Sequence, residues 1–137
     1  MGAGAIPIHI EKVFRERAKS KHKLYVYTAY SSYEGDDRID VSFHGGHFMM
    51  APPKHLLVEY KLGKIREDNF RKQYFEFLEN SFVQYQHTWD TVLDKEKIVL
   101  VCTCNADDKT CQRYFIIQFL KKFGAVYKGK VTNNREG

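Results

Sequence analysis

The run Lys97-Ile-Val-Leu-Val-Cys102 limits most strongly what this chain can fold into. It has no polar residue at alternate positions, so a strand here cannot keep one face in water. It predicts a strand buried on both faces, and hence a mostly parallel sheet with a covering layer on each side. A polar loop, Thr103 to Thr110, then leads to Cys111, which opens a helical pattern running to Phe123. A buried strand, a loop and a helix starting at Cys111 and Arg113 form a common frame for a small-molecule site. The N–H groups exposed at a helix N-terminus attract anions and favour the charged form of a nearby thiol.

The remaining elements follow from local patterns. Ile10, Val13, Phe14 and Ala18 are spaced as on one face of a short helix over 8–18. Lys23 to Tyr30 is rich in β-branched and aromatic residues and reads as a strand, followed by turn chemistry from Ser31 to Asp37. Arg38 to Phe43 alternates and predicts a second strand. His44 to Pro53 is a loop whose prolines suit the start of a helix over 54–62, closed by Gly63. Phe70, Tyr74, Phe77 and Leu78 predict a helix over 67–78, and Val83, Trp89, Val92 and Leu93 a further one over 81–93. After the Ile98 strand come the Cys111 helix, ended by Gly124, and a last strand over 125–131. The expectation is a single α/β domain, a three-layer α/β/α sandwich with a small, mostly parallel, Rossmann-like sheet. Residues 1–22 would be an N-terminal helical extension, 23–131 the core and 132–137 a loose tail.

A chain of 137 residues has room for one core, and its 43% hydrophobic and 15% aromatic content is that of a globular protein. No apolar run nears the roughly 20 residues needed to span a bilayer. The N-terminus has no basic segment before its apolar residues, and Ile6 stands where a myristoylation signal needs Ser or Thr. A cytoplasmic protein without membrane partners is expected. The three cysteines make an odd set, which argues against a disulfide framework and for a reducing compartment. A net charge of +5 favours anionic partners, with basic clusters at Arg15 to Lys23, at Lys121 and Lys122, and at Lys128 and Lys130.

Four blocks, in order, are similar to a known family: Tyr25-Val-Tyr-Thr-Ala-Tyr-Ser-Ser-Tyr-Glu-Gly with Arg38-Ile-Asp-Val-Ser; Met50-Ala-Pro-Pro-Lys-His-Leu-Leu-Val-Glu-Tyr-Lys-Leu-Gly-Lys-Ile65; Phe70-Arg-Lys-Gln-Tyr74; and Val99-Leu-Val-Cys-Thr-Cys104 with Cys111-Gln-Arg113. In these the chain resembles the family catalogued as domain of unknown function 488, marked by a Cys-His-Arg signature. The resemblance covers roughly residues 24–130 and implies a three-layer α/β sandwich with its site near Cys111, without assigning a reaction. One departure stands out, since Gln112 occupies the place of the signature His. Gln exchanges hydrogen bonds but does not titrate near neutrality, which weighs toward binding over catalysis.

In open α/β sheets, ligands sit beyond the carboxyl ends of the strands. The segments that follow those ends nominate Tyr30, Ser31, Ser32, Tyr33, His44, His47, Cys104, Cys111, Gln112 and Arg113 as ligand-binding residues. Glu34, Asp40 and Cys111 are the catalytic candidates. Cys111 reads as a nucleophile, an anion contact or a packed thiol. Arg113 in a first helical turn opposes the helix dipole, so it either grips an anion or pairs with Asp107 or Asp108. Cys102, Cys104 and Cys111 do not have a familiar zinc spacing, and neither a metal nor a cofactor is expected.

These observations lead to a protein that holds a nucleotide- or nucleoside-like anion in a crevice at the strand ends, either sensing and sequestering it or acting on it hydrolytically. The alternative is a nucleic-acid-binding module using the basic clusters. A dimeric interaction protein with no small ligand is a third reading.

Overall fold

A computed structural model describes residues 8–42, 47, 49–102 and 111–131. Its elements are α1 (Ile8–Lys19), β1 (Tyr25–Tyr30), β2 (Arg38–Asp40), α2 (Lys54–Lys61), α3 (Glu67–Gln84), α4 (Gln86–Leu93), β3 (Lys97–Cys102), α5 (Gln112–Lys121) and β4 (Val126–Lys130). The sheet has the order β2-β3-β1-β4, and every pairing is parallel. The fold is therefore a Rossmann-like α/β sandwich on an all-parallel sheet. No helix among the described residues is long and apolar enough to cross a membrane.

The two faces of the sheet are filled differently. Val26, Ile98, Leu100 and Cys102 share one face and join a single core cluster with residues of all five described helices. Phe14 of α1 packs edge-on against Phe119 and Phe123, and Trp89 of α4 meets Phe119. Tyr60 of α2 stacks on Phe70 of α3, which meets Phe115 of α5. Helix α1, read from the sequence as an extension, thus contributes Ile10 and Phe14 to the common core.

Val99 and Val101 point to the opposite face, equally buried but outside that cluster. The handedness of parallel crossovers explains the division. In the observed order β2→β3 and β3→β4 step the same way, so right-handed connections put their helices on one face. The step β1→β2 runs the other way and carries the chain across the second face. Among the described residues the connection 31–37, rather than a helix, lies on that side, tied to β3 by Lys97 Nζ 3.3 Å from Asp37 and by Val99 N–H donating to the Asp37 carbonyl at 2.9 Å.

Two boundaries differ most from the expected ones. Helix α3 continues through Glu79 and Asn80, where a break between helices over 67–78 and 81–93 is expected, and the bend falls at Tyr85 instead. The buried stripe Phe70, Tyr74, Leu78 and Phe82 runs unbroken through this stretch. Ser81 belongs to the buried side because its hydroxyl donates to the Met49 carbonyl at 2.9 Å and accepts from Trp89 Nε1 at 3.0 Å. Strand β2 ends at Asp40, because the Asp40 carboxylate captures both the N–H and the hydroxyl of Ser42 and turns the chain. The first strand and the Cys111 helix are each also slightly shorter than their sequence patterns.

Gly124 after α5 has φ +90°, and a Cβ there would lie 2.8 Å from the Ala18 Cα. Only glycine fits both the left-handed backbone and the close approach of α1.

Candidate functional site

The carboxyl ends of β1, β2 and β3 and the start of α5 meet in one region. Residues Tyr25–Tyr30 of β1 pair in register with Lys97–Cys102 of β3, so Tyr30 and Cys102 end level. Strand β2 reaches the same height, with Asp40 beside Val101. Cys111 has extended backbone and caps α5 through its side chain, which accepts from the Arg113 N–H at 3.5 Å.

Arg113 does not reach out into solvent. Its side chain folds back beneath the helix start and is only 1% exposed, with Nε donating to Cys111 Sγ at 3.1 Å and Nη1 to the Ala29 carbonyl at 2.9 Å. The guanidinium fastens α5 to the end of β1 and places a fixed positive charge where the helix dipole is also positive. The Cys111 sulfur, itself buried, receives the Arg113 backbone and side-chain N–H groups, both of which stabilise negative charge on it.

Gln112 binds the other side. Its Nε2 donates to the Val41 carbonyl just past β2 at 3.0 Å, which fixes the orientation of the amide. Its Oε1 is the one buried side-chain polar atom among the described residues without a hydrogen-bond partner. A buried acceptor left so costs about 1–3 kcal/mol, which a donor arriving from outside would relieve.

The floor is pinned from below. Tyr74 donates its hydroxyl to the Met50 carbonyl, and burial, with the neighbouring Cys111 and Cys102 thiols, pushes its pKa well up. His47 N–H donates to the Asp40 carbonyl at 2.6 Å, and burial lowers the pKa of its imidazole.

The other candidates fall into distinct settings. Tyr30, at the tip of β1, is 62% exposed. Ser31 and Ser32 are exposed beside it, and Arg38 donates to the Ser31 carbonyl at 3.0 Å. Tyr33 is turned into the connection, where its hydroxyl donates to Asp37 at 2.6 Å and its pKa is raised to about 12, first by that bond and then by burial. Asp40 holds Ser42 and lies 3.8 Å from Arg38, so its carboxylate is occupied in ending the strand. Glu34 is exposed. His44 and Cys104, together with the loop bearing Asp107 and Asp108, lie outside the described residues.

The sequence reading missed Tyr74 and the Ala29 and Val41 carbonyls as parts of this arrangement. Tyr74 was legible as one member of a core stripe and of the resembling block Phe70–Tyr74, without a place at the site, and no side-chain pattern reveals a carbonyl. The two described cavities, each about 390 Å³, lie at the other end of the sheet, next to Leu24 and Ala125 in one case and to Lys23, Tyr25 and Lys97 in the other. Compared with family models, characterised proteins and solved structures, the chain has no significant match.

Proposed function

We propose that this protein binds a small nucleotide- or nucleoside-like anion at the carboxyl ends of β1, β2 and β3. The observation that carries the reading is the unpartnered Gln112 Oε1, fixed beside a helix N-terminus over a buried arginine. Such a place suits a ligand that is negative and also presents an N–H or O–H donor. The negative group lies over the first turn of α5, within the field of Arg113, while the donor meets Gln112 Oε1. Tyr30, exposed at the rim, offers a ring for a base to stack on. The resemblance of Cys111-Gln-Arg113 to a Cys-His-Arg signature supports the same location.

Binding is the form proposed, rather than hydrolysis. Gln112 cannot transfer a proton near neutrality, Asp40 is held by Ser42, and the Cys111 thiol is covered. The ligand is sensed or sequestered.

The test is thermal-shift screening of a nucleotide and nucleoside panel, including cyclic and ADP-ribose-derived compounds. A compound at a hundred times its Kd stabilises the fold by about 2.7 kcal/mol. Binding should depend only mildly on salt and be lost in Arg113→Ala, with Tyr30→Ala as the variant that leaves the core untouched. If no compound shifts the wild type, or if Tyr30→Ala and Arg113→Ala bind as the wild type does, the reading fails.

A further inference from the structure

The second face of the sheet carries a surface that the carboxyl-end site does not use. Strand β1 turns Tyr25 and Tyr27 to this side, away from the core, and Tyr25 is 40% exposed. Being two apart on one strand, the rings sit roughly 6.6 Å from each other along it. Each is flanked by an ammonium: Lys97 Nζ lies 5.4 Å from the centre of the Tyr27 ring, and Lys128 Nζ 5.7 Å from that of Tyr25. Lys128 reaches that ring from edge strand β4 at a register shift beside Val26 and Tyr27. A cavity of about 390 Å³ opens at the base of the two tyrosines, and Lys21, Lys23 and Lys97 border it, with Glu96 as the acidic residue in its lining.

We infer that this face binds single-stranded nucleic acid, with bases stacked on Tyr25 and Tyr27 and phosphates held by Lys21, Lys23, Lys97 and Lys128. Two features select this partner over other polyanions. The cations stand around aromatic rings set one strand repeat apart, which suits a chain alternating flat bases with phosphates. A duplex keeps its base faces covered and so cannot use the rings. Charge agrees, because the four lysines outnumber the acids of the same patch, Glu96 and the Asp37 carboxylate that Lys97 touches at 3.3 Å. Lys97 and Lys128 hold the ring faces only loosely, and stacking of a base on tyrosine is the stronger contact, so a base displaces them toward its own phosphates.

This surface is separate from the Gln112 site, so each can fail without the other. The experiment is fluorescence anisotropy of the full chain with labelled eight-nucleotide RNA and DNA single strands, a matching duplex and polyglutamate as competitor. Single strands should bind, with log affinity falling against log salt with a slope of roughly −2 to −3, as expected for three or four phosphate contacts. Tyr25→Ala with Tyr27→Ala should weaken binding by at least roughly tenfold, while Tyr25→Phe with Tyr27→Phe retains it. Lys21→Glu with Lys23→Glu should weaken it and flatten the salt slope. Both tyrosines lie outside the helix-covered core, and an unchanged melting temperature confirms that each variant is folded. Tyr30→Ala should leave this binding unchanged. Absence of single-strand binding at low salt overturns the inference. So does equal affinity for duplex, full competition by polyglutamate, or wild-type binding by the alanine pair.

Discussion

Ser81 shows how much can hang on one hydroxyl. It donates to the Met49 carbonyl and accepts from Trp89 Nε1, so it ties α3 to the chain segment before α2 and to α4 in the core. Ser81→Ala removes both bonds and strands a carbonyl and an indole N–H away from water. The expected cost is about 2–3 kcal/mol of folding stability, read as a lower urea midpoint at unchanged slope. His47 predicts a pH effect. Burial lowers its pKa, so the folded state binds fewer protons than the unfolded state just below the ordinary histidine value. Stability from this group is therefore present above about pH 6.5 and falls as the pH drops through that region. The melting temperature should fall between pH 7 and pH 5.5 more in the wild type than in His47→Gln. Equal falls would place the titration elsewhere.

At the scale of elements, the contact between α1 and the end of α5 is fixed by Gly124. Gly124→Ala must either shift α1 or distort the turn, and a left-handed backbone at a non-glycine residue adds its own strain. A loss of about 2 kcal/mol or more is expected in chemical denaturation, with no effect on ligand affinity. The periodic elements were legible in the sequence because their causes are local: β3 is apolar throughout, α3 repeats large side chains every fourth residue, and Gly63 and Gly124 mark left-handed ends. What was not legible came from tertiary partners. Glu79 and Asn80 look like a break between helices, yet α3 runs on through Ser81, which bonds Met49 and Trp89. The strand pattern that starts at Arg38 stops at Asp40, where the carboxylate captures Ser42. Arg113 reads equally well as an anion grip and as the partner of Asp107 or Asp108, and only its bonds to Cys111 and Ala29 show it holding α5 against β1.

For the whole molecule, strand order decides where chemistry can occur. Because β2→β3 and β3→β4 step in one direction, the helices gather on one face, and among the described residues the connection 31–37 crosses the other. This leaves β1 with its aromatic side chains partly open beside lysines, while its carboxyl end joins those of β2 and β3 under α5. The two proposed sites thus sit at opposite ends of β1 and on different structural supports. Variants of Tyr25 and Tyr27 should leave nucleotide binding intact, and Tyr30→Ala should leave oligonucleotide binding intact. Binding isotherms for the two ligands in both sets of variants check this independence.

A small anion bound at the carboxyl ends of β1, β2 and β3 has a local signature. Backbone amide NMR, titrating the compound that gives the largest thermal shift into the wild type, tests it most directly. Shifts should concentrate at 29–32, at Val41 and Ser42, and at 111–114, and the Gln112 side-chain amide should move with them. Shifts confined to 21–27 and 96–97, with the Gln112 amide unmoved, would contradict the account.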